Sequence, residues 1–297
     1  MAGNDDVIVE ISLPANRQCE VFSRGLRFFC GDVFLVDVLR SESVSLLSSS
    51  DLSGTVINST GRISVFAGNY AITVGPGNVT DQTTEELLPV SGWQVDGATP
   101  TLAYAIPSIP DNNHSGYSVK VTTGGVKATI AVASKVYEVT GGQVLTLDFV
   151  DNAPVLIQAD VPLQVVQFVR GATDPADSGA PAAQVIPELR QYASSYAYTN
   201  PTGYTHYVIV VIERNASQTG LVVDNAPVDV TGWTAIGGTT LVTKGIRLSV
   251  DGYSVIYHRS QVPFGAFRYS YVRGNCAYAY PAGIVMATQQ VRTMGMV

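Results

Sequence analysis

The stretch Gly142-Gln143-Val144-Leu145-Thr146-Leu147-Asp148-Phe149 decides the fold class, because a glycine turn there opens a run that alternates in polarity. A period of two sends successive side chains to opposite faces of an extended strand. Further on, Pro162-Leu163-Gln164-Val165-Val166-Gln167-Phe168-Val169-Arg170-Gly171 closes the pattern with a second such run. The same grammar stands upstream, at Gly31-Asp32-Val33-Phe34-Leu35-Val36-Asp37-Val38 and then Gly61-Arg62-Ile63-Ser64-Val65-Phe66-Ala67-Gly68. It stands again downstream, at Gly245-Ile246-Arg247-Leu248-Ser249-Val250 and then Pro263-Phe264-Gly265-Ala266-Phe267-Arg268. Arg62, Pro162 and Pro263 fall at matching places. A spacing of about a hundred residues predicts similar β units in tandem rather than one domain around one active site.

Working outward, alternation also predicts strands at Val7–Ser12, Tyr117–Thr122, Lys127–Ala133, Tyr207–Glu213 and Ser254–His258. Asp96-Gly97, Gly124-Gly125, Asp151-Asn152, Asp224-Asn225 and Asp251-Gly252 supply the residues that tight turns require. Helical periodicity is confined to a turn or two near Val185–Tyr192. The expected fold is all-β, built of tandem antiparallel sandwich-like repeats, with a closed propeller-like array as the alternative. A unit of about a hundred residues exceeds a propeller blade of roughly 40 to 50, which favours sandwiches. The expected units are 1–93 (truncated at its N-terminus), 94–192 and 193–297. Residues 172–183, rich in Ala, Pro, Asp, Ser and Gly, read as a linker inside the second. The end of the chain, 287–297, reads as a strand or tail that docks elsewhere.

Composition excludes several functions. Lys and Arg number 17 against 24 Asp and Glu, for a net charge of −7. Nucleic acid and anionic lipid both demand clustered basic residues, which this chain lacks. No apolar run reaches the roughly 18 residues of a membrane-spanning helix, and the start, Met1-Ala2-Gly3-Asn4-Asp5-Asp6, is no secretory signal. That start therefore marks a processing boundary or a protein that is not secreted.

Chemistry-bearing residues are sparse. His114, His206 and His258 stand far apart, without metal-ligand spacing. No G-x-S-x-G elbow occurs, and Thr73-Val74-Gly75-Pro76-Gly77 lacks the Lys-Ser/Thr pair of a phosphate loop. No catalytic residue, metal site or cofactor is expected. Cys19 and Cys30 flank a hairpin turning near Arg24-Gly25, and cross-strand neighbours there meet disulfide geometry in an oxidising compartment. Two reduced cysteines are the alternative. Cys276 is either a buried free thiol or a partner for another chain. Asn58, Asn78, Asn113 and Asn215 open acceptor sequons at turn-like positions, the candidate glycosylation sites. Phe267, Tyr269 and Tyr271 lie two residues apart on one strand face, which is either buried or a stripe for interaction.

Ser48-Ser49-Ser50-Asp51-Leu52-Ser53-Gly54-Thr55, Arg62-Ile63-Ser64-Val65-Phe66-Ala67-Gly68 and Glu86-Leu87-Leu88-Pro89-Val90-Ser91-Gly92-Trp93 are similar to three motifs of one family. These are a D-L-x-G-T turn, a P-V-S-V-x-x-G strand and an E-x-L-P-x-x-x-W segment. The chain thereby resembles the N-terminal domain family of IgG-Fc-binding protein, over roughly residues 45 to 283. The likeness continues at Asp160–Phe168, Val185–Tyr192, Ser217–Leu221, Trp233, Pro263-Phe264-Gly265 and Tyr280-Pro281-Ala282-Gly283. Arg62 departs from it, standing where the family has Pro, and the short N-terminal part suggests a start inside the family's domain. The resemblance implies an extracellular or cell-surface protein of mucus, adhesive or matrix assemblies, with no cofactor and no catalytic residues. Antibody Fc binding belongs to the family's name, and nothing in these residues carries that ligand over. The expected function is a non-enzymatic binding module for protein or glycan. A self-assembling filament or shell subunit, its partner being itself, is the second reading.

Overall fold

The computed structural model describes residues 6–15, 17–77, 79–94, 101–112, 115–173, 179–217, 219–249, 251–272, 276–286 and 294–296. Strands dominate, and every pairing is antiparallel. The first group comprises β1 (Val7–Ser12), β2 (Glu20–Ser23), β3 (Leu26–Phe29), β4 (Val33–Val38), β5 (Val56–Ser59), β6 (Val65–Ile72) and β7 (Asp81–Leu87). The second comprises β8 (Leu102–Ile106), β9 (Tyr117–Thr122), β10 (Ala128–Val132), β11 (Lys135–Val139), β12 (Val144–Phe149), β13 (Val155–Ala159), β14 (Gln164–Val169) and β15 (Ala182–Ile186). The third comprises β16 (Ser195–Asn200), β17 (Thr205–Glu213), β18 (Leu221–Val223), β19 (Ala226–Pro227), β20 (Thr234–Ala235), β21 (Leu241–Leu248), β22 (Gly252–His258), β23 (Gly265–Val272) and β24 (Cys276–Pro281). A last strand, β25 (Met294–Met296), pairs with β5 of the first sheet.

The second and third groups share one wiring. One sheet of the second runs β11-β10-β13-β8, and the matching sheet of the third runs β19-β18-β22-β16. The facing sheets run β12-β9-β14-β15 and, after β20, β21-β17-β23-β24. None of these sheets closes on itself, so the architecture is all-β and sandwich-like, with no propeller. The first group repeats part of the plan, with β1 flanked by β4 and β5. Val56–Ser59 thus takes the place beside β1 that β14 takes beside β9. The Arg62–Gly68 run instead enters β6, which pairs with β7 in a separate ribbon. Alternation identifies a strand but does not name its partner.

Burial follows the alternation on β1, where Val7, Val9 and Ile11 are buried while Ile8 is exposed. It fails on β17 for a reason. Val208, Val210 and Ile212 face the core of the third group. Tyr207, Ile209 and Val211 join the core built by the second. A strand covered on both faces reads as a continuous apolar run. Phe267, Tyr269 and Tyr271 on β23 bury themselves against that same second-group core. Each side chain of this size contributes roughly 1.5–3 kcal/mol when removed from water.

Polar contacts fix this docking. Asn152 is buried in a left-handed turn (φ 54°), and its amide exchanges hydrogen bonds of 2.8 and 2.9 Å with Ile109. The loop so anchored carries Asp111, whose Oδ2 accepts from the hydroxyls of both Tyr207 and Tyr271 at 2.7 Å. Beside it Pro110 packs on Gly245, where any Cβ would stand 2.4 Å from the proline ring. The linker-like segment is not slack throughout. Ala182 and Ala183 open the buried strand β15, and a Cβ at Gly179 would come within 2.8 Å of the Tyr271 Cβ. Small residues there permit close packing.

The turn expected near Val185–Tyr192 is a single 3-10 turn, Leu189–Gln191, capped by Glu188. Pro187 lies just before that cap. Gln191 ties the three groups together: its Nε2 donates to Gly92 O (2.8 Å) and Val285 O (3.4 Å), and its carbonyl accepts from Val285 N at 2.9 Å. Asp51 adds another tie. Its Oδ2 lies 2.7 Å from Lys120 Nζ on β9, while its Oδ1 accepts from Ser53 N and Oγ. Burial opposes ionisation of Asp51, but Lys120 and Ser53 together hold its carboxyl well below the usual range.

Two outcomes test this account. Asp111→Ala strands two tyrosine hydroxyls at the junction and is expected to cost about 2–4 kcal/mol in denaturant unfolding. An unchanged midpoint would show that the apolar contacts alone hold the two groups together. Glu85 on β7 is the second case, because burial pushes its carboxyl up to about 8. The native state keeps a proton there that the unfolded chain releases near pH 4.5, so stability falls as pH rises from about 4.5 to 8. Glu85→Gln is expected to add about 2 kcal/mol at pH 7.5 and to flatten that slope.

Candidate functional site

Residues at one end of the third group bring aromatic, hydroxyl, imidazole, guanidinium and carboxylate side chains to one open surface. The register of β17 and β21 places His206 opposite Leu248 and Tyr207 opposite Arg247. Tyr204, Thr205, His206, Arg247, Leu248, Ser249 and Asp251 line an open cavity of about 460 Å³ there. His206 and Leu248 are buried; Tyr204 and Thr205 are half-buried, and Arg247, Ser249 and Asp251 are exposed.

The partners of His206 assign its state. Nε2 meets the Pro201 carbonyl at 2.8 Å and must donate, while Nδ1 meets Ser270 Oγ at 2.8 Å and Arg268 Nη2 at 3.3 Å. An Arg can only donate, so Nδ1 accepts and the ring is the neutral Nε2–H tautomer. Burial, with the Arg268 charge close by, lowers the His206 pKa. Asp251 Oδ1 approaches Nε2 at 3.4 Å. The Ser270, His206 and Asp251 side chains therefore lie in a row, but Ser270 is fully buried and no substrate could reach its hydroxyl.

Beneath the cavity Arg268 is fully buried yet well held. It donates to the Tyr207 carbonyl, to Asn200 Oδ1 at 2.7 Å and to Ser270 Oγ at 3.2 Å, and it lies 4.7 Å from the Tyr198 ring centre. Asn200 passes the polarity on to Ser254 (2.8 Å), which donates to Asp224 (2.9 Å). Removing one member of such a buried network leaves the others unpaired. Arg268 is a structural charge rather than an accessible one.

The sequence-derived candidates scatter. Cys19 and Cys30 form a disulfide, with Cα atoms 5.0 Å apart across the β2–β3 hairpin. Cys276 is a half-buried free thiol whose Sγ donates to the Tyr204 hydroxyl at 3.4 Å, at the margin of the cavity. Asn58 lies within β5 rather than a turn, and its amide donates to Glu10 Oε1 at 3.1 Å. Asn215 is exposed on the four-residue helix Arg214–Ser217, while Asn78 and Asn113 lie outside the described residues. Phe267, Tyr269 and Tyr271 are an interface, but one inside the chain, so they offer no external stripe. Among the described residues no group of three His, Cys, Asp or Glu could hold a metal ion. No helix there is long and apolar enough to cross a membrane.

Sequence reasoning missed the cavity because its residues come from two segments far apart in the chain. The Asp251-Gly252 turn was the only local signal. It also missed the edge of β4, where Val33 and Leu35 are 61% and 68% exposed on a strand whose outer side has no partner among the described residues.

The sequence itself has relatives among known proteins. The human IgGFc-binding protein is 24% identical over 255 residues, covering 84% of this chain and 4% of the human protein. The chain thus spans a small fraction of the length of that relative. No solved structure matches. The family model for IgGFc binding protein matches residues 1–270, well over half of the chain, and the chain belongs to that family.

Proposed function

We propose that this chain is a non-enzymatic extracellular recognition module that binds a protein partner. The open edge of β4 is the observation that carries this reading. An unpaired strand edge exposes backbone donors and acceptors to any extended segment of a second protein. Val33 and Leu35 add apolar anchors on alternate positions of that strand. Roughly half of the exposed large apolar side chains among the described residues lie between Ile8 and Leu47. The Cys19–Cys30 bridge suits an oxidising, extracellular compartment. Asn215, exposed and within a sequon, suits glycan attachment there. We take the units as 1–93, 94–192 and 193–297, acting together through their shared contacts.

The relative's name attaches it to the Fc of IgG, which makes that fragment the first probe. Binding of the intact chain to immobilised Fc is expected to weaken at least tenfold in Leu35→Lys, with the melting temperature unchanged. Absence of Fc binding would remove that ligand, and substrate turnover by the purified chain would overturn the whole reading.

Self-assembly is the second reading, favoured by Cys276. Sedimentation across a concentration series separates the two. Species that grow with concentration, dissolve on reduction and fail to form in Cys276→Ser are expected from a covalently joined structural subunit. A monomer throughout would leave the recognition module standing alone.

A further inference from the structure

We propose that the cavity between Tyr204, Arg247 and Asp251 binds an uncharged saccharide. This goes beyond the protein-binding edge of β4 and is independent of it, so either can fail alone. The cavity, about 460 Å³, falls within the usual range of small-molecule sites.

Its lining sets the ligand's chemistry. Arg247 offers only donors, Asp251 when ionised only acceptors, and Thr205 and Ser249 offer both. A ligand matched to this mixture carries several groups that each donate and accept, as the hydroxyls of a sugar do. Charge narrows the class further. Arg247 and Asp251 cancel, and His206 is held in its neutral tautomer by Pro201, Ser270 and Arg268. The lining therefore has no net charge to balance an acidic sugar, Arg268 lies sealed behind His206 rather than in the wall, and the chain as a whole carries −7. Tyr204, half-exposed on the wall, supplies apolar surface for the C–H face of a sugar ring at little rotamer cost.

The same lining argues for binding without cleavage. Glycoside hydrolysis ordinarily requires two carboxyl groups flanking the bond. Among the described residues that line the cavity, Asp251 is the only carboxylate.

The test is saturation-transfer NMR on the intact chain with galactose, mannose, N-acetylglucosamine and sialyllactose, followed by titration of the sugar that binds best. A neutral sugar is expected to receive saturation, and Arg247→Ala and Asp251→Asn are each expected to weaken it about tenfold or more, as loss of a charge-assisted hydrogen bond does. Both positions are exposed, so the fold should survive, and an unchanged melting temperature verifies that. Leu35→Lys should leave sugar binding untouched. The proposal is overturned by saturation of sialyllactose alone, by the absence of any neutral binder at millimolar concentration, or by binding indifferent to both variants.

Discussion

One sheet serves two cores. The strands β21, β17 and β23 present Val208, Val210 and Ile212 to one side and Tyr207, Ile209, Phe267, Tyr269 and Tyr271 to the other. Neither face of this wall can be left in water without exposing large apolar area. The second group therefore fills the space on the tyrosine side, and its edge strand β15 lies against β24 and β7. Much else follows from that placement, including the buried strand that begins at the end of the linker-like segment and the reach of the Asp111 loop.

Apolar burial alone would leave the docking poorly defined, because hydrophobic attraction has no direction. Direction comes from a few polar groups whose partners are fixed. Asp111 takes two tyrosine hydroxyls from neighbouring strands, and Gln191 joins backbone from the first group to backbone after the third. Shifting either contact would bury an unmatched polar atom, at a cost of roughly 1–3 kcal/mol each. The buried Arg268 plays a comparable part within the third group, where the polar chain through Asn200 and Ser254 ends on Asp224. These groups constrain geometry more than they add net stability.

How much of this was legible in the sequence depended on the range of the interaction. Strands at Val7–Ser12, Tyr117–Thr122 and Val144–Phe149 were readable to the residue, since alternation is a local property of a half-covered sheet. The β2–β3 hairpin was readable from Arg24-Gly25, and with it the geometry of the bridge. The motif Glu86–Trp93 was visible too, although its role was not: Trp93 is buried and its indole N–H donates to Leu88 O at 2.8 Å. Pairing was harder. The run at Arg62–Gly68 looks like the strands after Pro162 and Pro263, yet β5 stands beside β1 instead. The tyrosine stripe on β23 was visible as a stripe, but only the fold says that another part of the same chain covers it. The cavity was least legible, because Tyr204 and Asp251 meet only after β17, β21 and β22 have formed.

The two-faced sheet also bears on how the molecule is made. Synthesis proceeds from the N-terminus, so the second group leaves the ribosome before the strands that will cover its outer core. Until β17 and β23 arrive, Asp111 lacks both of its tyrosine partners and the second-group core lacks Ile209, Phe267 and Tyr269. The wait is some tens of residues, or several seconds at typical elongation rates. During it the nascent chain carries an uncovered apolar face next to the open edge of β15. Chaperones that meet the nascent chain would shield that face. The duplicated wiring adds a hazard, since two groups with the same strand order can exchange equivalent strands while both are incomplete. The tyrosines of β23 have no counterpart on β14, so an exchanged strand could not reproduce the contacts to Asp111.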